Sequence, residues 1–235
     1  MSLSTNAIPI IWLETVDSTQ EEAKRRIASG EITQNCVLVA EEQTGGKGTQ
    51  GRHWLSPKDK GLYLTLVHFN LSPSKAEAPP PLAGGGWGEG ANSFPITPYY
   101  TQACALACVK ALQDCYDLTP QVKPINDIYY DGKKLGGILV ESASQGNTLQ
   151  YLLTGIGLNF APFDANDEDA NLLFQKDSIQ PISLTEIITD SCSLLIPKSA
   201  LVYSLADNCD TYYQQLIQQG DKPLMTELKD YLISI

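Results

Sequence analysis

Between Val122 and Phe160 three apolar runs follow one another so closely that the chain has little freedom in how to pair them. VKPINDIYY (122–130), KKLGGILVESA (133–143) and LQYLLTGIGLNF (149–160) are rich in the β-branched and aromatic residues that suit strands. Asp131-Gly132 joins the first two and supplies the positive φ angles of a tight hairpin, and Gln145-Gly146-Asn147 marks the second link. A parallel pair needs a crossover of roughly a dozen residues, so links this short make antiparallel neighbours.

The rest of the chain adds helices to that sheet. PIIWL (9–13) reads as a short strand, and DSTQEEAKRRIASGE follows it, with Ser18 and Glu21 at capping-box spacing and Gly30 where a helix stops. A helix is expected over about 19–29. Strands are expected at 36–41 and 61–71, with a glycine-rich loop between them and no room there for a helix. Residues 72–97 are rich in Pro, Gly and Ala, the composition of a flexible surface insertion. Thr97 then caps and Pro98 opens a largely buried helix, YYTQACALACVKALQDCY. Further on, Ser183 and Glu186 repeat the capping-box spacing, and a long amphipathic run from Lys198 ends at Gly220. The expected fold is α+β: a mostly antiparallel, mixed sheet with flanking helices, forming a single domain over 1–235.

A net charge of -11 repels nucleic acid and anionic membrane alike, so neither is an expected partner. Any anionic ligand must meet a local cluster of cations. The six cysteines include no C-x-x-C pair, and the N-terminus MSLSTNAIPI lacks the pattern of a signal peptide, which together predict a reduced, cytoplasmic protein. Cys104, Cys108 and Cys115 fall on one helix face and read as a core stripe, so no metal site is expected there. The acidic stretch DANDEDA (164–170) lacks the central glycine of a calcium loop and reads as solvated loop. His53 and His68 are isolated, and neither is assigned a role.

The glycine loop, VLVAEEQTGGKGTQGRHW, contains G-x-G-x-x-G at Gly46, Gly48 and Gly51. A dinucleotide fingerprint requires a helix to follow, because the pyrophosphate rests on that helix N-terminus. Here the loop runs into another strand. A Walker loop fails as well, since Arg52-His53 stands where Lys-Ser/Thr is needed. What remains is a turn whose glycines let backbone N–H groups approach an anion, with Lys47 and Arg52 for charge and Trp54 as a flat wall. These suit a lid over a phosphate and an aromatic base.

Four stretches occur in order: DSTQ, EEQTGGKGTQGRHW, KPINDIYYDGKKLGGILVE and GIGLNF. Together they resemble the catalytic core of the biotin–protein ligases over most of residues 10–160, with the second and third stretches the most specific in combination. The resemblance implies a class II synthetase-like biotin/lipoate ligase fold. It also implies an ATP-dependent enzyme that makes biotinyl-5′-AMP and passes biotin to a lysine on the biotin carboxyl carrier domain of a carboxylase.

Residue by residue, the resemblance implies that Ser18 and Thr19 bond the ureido ring, although Ser18 also serves as a helix cap. Gln43 meets the ligand where the loop begins. Gly46, Lys47, Gly48, Gly51 and Arg52 cover the adenylate phosphate and the biotin tail, and Trp54 lies on the adenine side. Lys123, Asn126 and Asp127 match the K-W-P-N-D motif, and Lys134 is the lysine beside the biotin carboxylate. Gly137 and Ile138 line the biotin slot, and Asn159 belongs to the nucleotide pocket. Two departures stand out: Thr49 and Gln50 where the family commonly has arginine, and Pro124-Ile125 where it has Trp-Pro.

The chemistry fits those residue types. Adenylation brings a carboxylate to the α-phosphate of ATP, anion against anion, and Lys134, Lys47, Arg52 and Lys123 are cations able to neutralise both. Mg2+ bridging phosphate oxygens needs few protein ligands, so no metal cluster is required of the chain. Asp127 is the carboxylate assigned to the amine of the acceptor lysine in the transfer step.

Two rival readings are a lipoate or octanoate ligase or transferase of the same superfamily, and a protein that holds biotin adenylate without turnover. About nine residues precede the first core strand, too few for the helix-turn-helix domain some family members carry. The family's small C-terminal β domain is expected to be absent or cut off. The oligomeric state is left open, a homodimer among the options.

Overall fold

The computed structural model describes residues 8–69, 71, 97–124, 126–145, 148–163, 180–188 and 196–233. The insertion at 72–96, Gly146 and Asn147 of the third turn, the acidic run 164–170 and Cys192 lie outside the described residues.

One seven-stranded sheet organises the chain. Its strands are β1 (Ile10–Val16), β2 (Cys36–Gln43), β3 (Gly61–Phe69), β4 (Gln121–Lys123), β5 (Asp127–Tyr130), β6 (Lys133–Gln145) and β7 (Thr148–Asn159), in the spatial order β1-β2-β3-β7-β6-β5-β4. The β5–β6 hairpin turns through Asp131 at φ 48° and Gly132 at φ 74°, both left-handed as a two-residue turn demands. β3 runs antiparallel to β2 and to β7, and β6 is antiparallel to β7 along its length. Helix α1 (Thr19–Ala28) provides the crossover that lets β1 and β2 pair in parallel, the one parallel ladder among these strands. The expected α+β architecture with a mixed, mostly antiparallel sheet is therefore met.

Alternation along the strands sorts side chains to two faces. Leu38, Val67 and Leu153 form a small core with Ala23 of α1. Val37, Leu64 and Ile156 point the other way, into the main core built on α2 (Thr97–Tyr116), α4 (Lys198–Gln219) and α5 (Asp221–Leu228). Between these, α3 (Leu184–Ile187) is a single turn. Cys104 and Cys108 of α2 are fully buried, and the Sγ atoms of Cys104 and Cys209 are 3.8 Å apart. The described cysteines are free thiols, filling core as their spacing suggested. No described helix is long and apolar enough to cross a membrane.

Two local expectations need correction, and a third is met. VKPINDIYY is two strands, because Pro124 cannot donate to a ladder and the chain turns there, so that β4 and β5 form their own hairpin. Ser18 caps α1 without a side-chain hydrogen bond, and the return bond of a capping box is missing too: the Glu21 carboxylate pairs with Lys24 and Lys47, while the Ser18 N–H donates to Asp17 Oδ1 at 2.8 Å. The Ser183 capping box is met: its N–H and its hydroxyl donate to Glu186 Oε2 at 2.9 and 2.7 Å, opening the single turn of α3.

Candidate active site

A break in register builds the site. Gly136 pairs with Ile128 but Lys134 pairs with Tyr129, so Leu135 is an extra residue on β6. In a regular strand, residues three apart face opposite sides of the sheet. The bulge cancels that rule and brings Lys134 and Gly137 to one cavity, on the same face as α1. Lys134 is then fixed through its backbone. Its N–H donates to Gln180 O at 2.8 Å, and its carbonyl accepts from Ile182 N at 3.0 Å and from Asn159 Nδ2 at 3.1 Å.

The Lys134 ammonium lies 2.8 Å from Asp127 Oδ1 and 5.3 Å from the centre of the Trp54 ring, with 12% of its side chain exposed. Trp54 in turn lies flat over glycines. A Cβ built on Gly157 would be 2.4 Å from Trp54 Nε1, and one on Gly137 would be 3.0 Å from Trp54 Cζ3. Glycine interrupts both strands because an aromatic ring occupies the side-chain layer. On the other side, Asn126 exchanges hydrogen bonds with Ile138, its Nδ2 donating to Ile138 O and its carbonyl accepting from Ile138 N, each at 2.8 Å.

At the far end of the cavity Gln43 is the hub. Its Oε1 accepts from Thr19 N at 2.8 Å and from Thr19 Oγ1 at 3.1 Å, while its Nε2 donates to Ser56 Oγ at 2.9 Å. Ser18 and Thr19 are each 3% exposed at the start of α1. Gln20 donates to Leu139 O at 3.1 Å, and Gly155 leaves it the room, since a Cβ there would meet Gln20 Oε1 at 2.8 Å.

The glycine loop folds back on itself between β2 and β3, without a helix beyond one 3-10 turn at Thr49–Gly51. Lys47 faces His53 across an antiparallel bridge, Gly48 N donates to Arg52 O at 2.8 Å, and Trp54 N donates to Gly46 O at 2.9 Å. A Cβ on Gly46 would be 2.3 Å from Trp54 O, so only glycine allows this approach.

Comparison with known proteins bears on the family and the fold. The model of the biotin/lipoate A/B protein ligase family matches residues 12–79 and 89–159, more than half of the chain. The chain belongs to that family. The bifunctional ligase/repressor BirA of Bacillus subtilis is 29% identical over 163 residues, which is 68% of this chain and 43% of that protein. The biotin–[acetyl-CoA-carboxylase] ligase of Paracoccus denitrificans is 32% identical over 149 residues, 63% of this chain and 53% of that protein. The matched stretch thus spans about half the length of these relatives. In three dimensions the biotin protein ligase of Aquifex aeolicus, solved with biotin and ATP, aligns with a TM-score of 0.70 at 21% identity, over 96% of this chain and 78% of that one. The fold is that of the biotin protein ligases.

In this family member, Ser18, Thr19, Gln43, Lys47, Gly48, Arg52, Trp54, Asn126, Asp127, Lys134, Gly137, Ile138 and Asn159 line one cavity. Gly46 and Gly51 are not in its lining; Gly46 seats Trp54 and Gly51, at φ 70°, makes the loop turn. Lys123 stands apart on β4, its ammonium 5.4 Å from the Tyr129 ring centre. The cavity also takes in Gln20, Gly155, Gly157 and Pro181, which sequence reasoning did not single out. Glycines inside the strand-like GIGLNF were the available signal for two of them. Nothing local marks the segment carrying Pro181.

The cations of the cavity are already engaged. Lys47 Nζ is 2.7 Å from Glu21 Oε1, and the lysines Lys24 and Lys47 hold the Glu21 carboxyl below the usual glutamate range. Arg52 donates from Nη2 to Thr49 Oγ1 at 2.9 Å and from Nε to Thr49 O at 3.2 Å. Among the described residues no group of three or more His, Cys, Asp or Glu is arranged to hold a metal ion.

Proposed function

We propose that this chain is an ATP-dependent, AMP-forming biotin–protein ligase of the cytoplasm. It activates biotin as biotinyl-5′-AMP and transfers it to a lysine of a biotin carboxyl carrier domain. The observation that carries this reading is the single cavity joining two unlike ends: the polar cluster of Ser18, Thr19 and Gln43, and the charged cluster of Lys134, Asp127, Lys47 and Arg52.

In the first step a carboxylate oxygen of biotin attacks the α-phosphorus of ATP, and the bond to pyrophosphate breaks. Lys134 neutralises the incoming carboxylate, while Lys47 and Arg52 on the loop meet the phosphate oxygens as charge builds there. Mg2+ carried in with ATP would supply further charge neutralisation and would ask few ligands of the chain, which fits a cavity in which, among the described residues, the one carboxylate is Asp127, already occupied by Lys134. Trp54 offers a flat face to the adenine and excludes water from the anhydride.

In the second step the neutral amine of the acceptor lysine attacks the biotinyl carbonyl and AMP leaves. Asp127 orients that amine and accepts its proton. The cavity measures about 100 Å³, against roughly 300–1,000 Å³ for small-molecule sites. The loop and the Trp54 ring therefore move when both substrates enter.

The test is mass spectrometry and pyrophosphate release with ATP, magnesium and either biotin or lipoate, followed by addition of a carrier domain. Biotinyl-AMP and a biotinylated carrier are expected. Release driven by lipoate alone would assign the chain to the lipoate branch, and binding without pyrophosphate would make it a binding protein.

A further inference from the structure

Two buried hydroxyl residues outside the cavity, Thr65 of β3 and Ser56 after the glycine loop, are 0% and 2% exposed. Both belong to one chain of hydrogen bonds. Thr65 Oγ1 donates to Thr19 Oγ1 at 2.8 Å, Thr19 Oγ1 donates to Gln43 Oε1, Gln43 Nε2 donates to Ser56 Oγ, and Ser56 Oγ donates to Trp54 O at 3.0 Å.

The direction of that chain is fixed. The backbone N–H of Thr19 can only donate, so Gln43 must present its carbonyl to it and its amide nitrogen to Ser56. Gln43 Oε1 then takes the Thr19 hydroxyl proton, and Thr65 must donate rather than accept. Counting what is left, Thr19 retains one lone pair and no proton, and Gln43 retains one N–H. The cavity end therefore shows an acceptor at Thr19 beside a donor at Gln43. A group with N–H and C=O side by side, such as a cyclic urea, satisfies both; a plain acyl chain satisfies neither.

From this, and resting on the biotin reading above, we infer that Thr65 and Ser56 are positioning residues that set the hydrogen-bond polarity of Thr19 and Gln43 and so select a cyclic urea. Neither touches the ligand. Hydrogen bonds in a directed chain strengthen one another, so removing an outer member weakens the inner contacts.

The experiment is steady-state kinetics on Thr65→Val and Ser56→Ala, with Thr65→Ser and Ser56→Thr as conservative partners and a melting curve for each. KM for biotin should rise about 3- to 10-fold in the first two, the range of one neutral hydrogen bond, with kcat and KM for ATP unchanged. Desthiobiotin, which keeps the urea, should lose by the same factor. The hydroxyl-retaining variants should recover most of the loss. If Ser56→Ala does not fold, Thr65→Val, which keeps the shape of threonine, decides. An unchanged KM for biotin in a folded variant overturns the inference, and so does an equal rise in KM for ATP, which would mean general loosening. Failure of the wild-type chain to use biotin at all would overturn the functional reading and this inference with it.

Discussion

The ammonium of Lys134 stands 2.8 Å from the carboxylate of Asp127, across a strand pair whose register breaks between them. The pair holds Lys134 at one place in the cavity and leaves its remaining N–H donors for a second anion. Lys134→Ala should reduce adenylate formation by roughly 100-fold or more, the scale of losing one preorganised charge, and affect transfer from preformed biotinyl-AMP less. Asp127→Asn should show the opposite bias. Pyrophosphate release and single-turnover transfer of labelled biotin measure the two halves separately. Equal losses in both would reduce the pair to a structural contact.

Lys47 is tied to Glu21 at 2.7 Å, with the side chains 49% and 30% exposed. A phosphate that recruits Lys47 must first displace Glu21. Exposed pairs of this kind are worth about 0–1 kcal/mol, so Glu21→Gln should leave stability nearly unchanged and tighten adenylate binding by up to about 5-fold. Lys47→Ala should weaken it. Titration calorimetry at low and high salt distinguishes the two, because screening should shrink both effects. Weaker binding in Glu21→Gln would mean that Glu21 positions Lys47 rather than competing for it.

Gly157→Ala places a methyl where the Trp54 ring lies. The obstacle is a ring packed on two strands, so the ring must leave its seat. The expected result is a red-shifted tryptophan emission, abolished in the Trp54→Phe background, together with at least a 10-fold weaker affinity for ATP. An unshifted spectrum would show that the ring accommodates the methyl in place.

His68 is 1% exposed on β3, its ring edge-on to Tyr213 at 5.0 Å, and among the described residues neither nitrogen has a hydrogen-bond partner. Burial pushes its pKa from 6.5 down to about 4. Between those values the unfolded chain binds a proton that the folded chain refuses, so stability falls as pH falls through the window, by about 3 kcal/mol in all. Urea midpoints measured from pH 7 to pH 4 should show the decline. His68→Phe should flatten it and leave stability at pH 7 unchanged or higher, since no hydrogen bond is lost. A decline of the same size in His68→Phe would assign it to other groups.

Local chemistry made much of this protein legible in its sequence. Asp131-Gly132 specified a hairpin because few dipeptides accept two left-handed residues, and the spacing of the apolar runs then specified antiparallel neighbours. The failed helix after Gly51 removed the dinucleotide reading, and the order of four motifs gathered the residues of one cavity. Tertiary structure decided what depends on contacts distant along the chain. The bulge at Leu135 turns Lys134 toward Asp127, and periodicity alone would have set Lys134 and Gly137 on opposite faces. Glu21 pairs with lysines of α1 and the loop rather than closing a capping box. Gln180 and Ile182 brace the Lys134 backbone from beyond the last recognisable motif. Thr65 and Ser56 look like ordinary polar residues until the fold brings them behind Thr19 and Gln43. A hydrogen bond or ion pair is fixed by position in space, and the sequence reports that position only where the partners are neighbours along the chain.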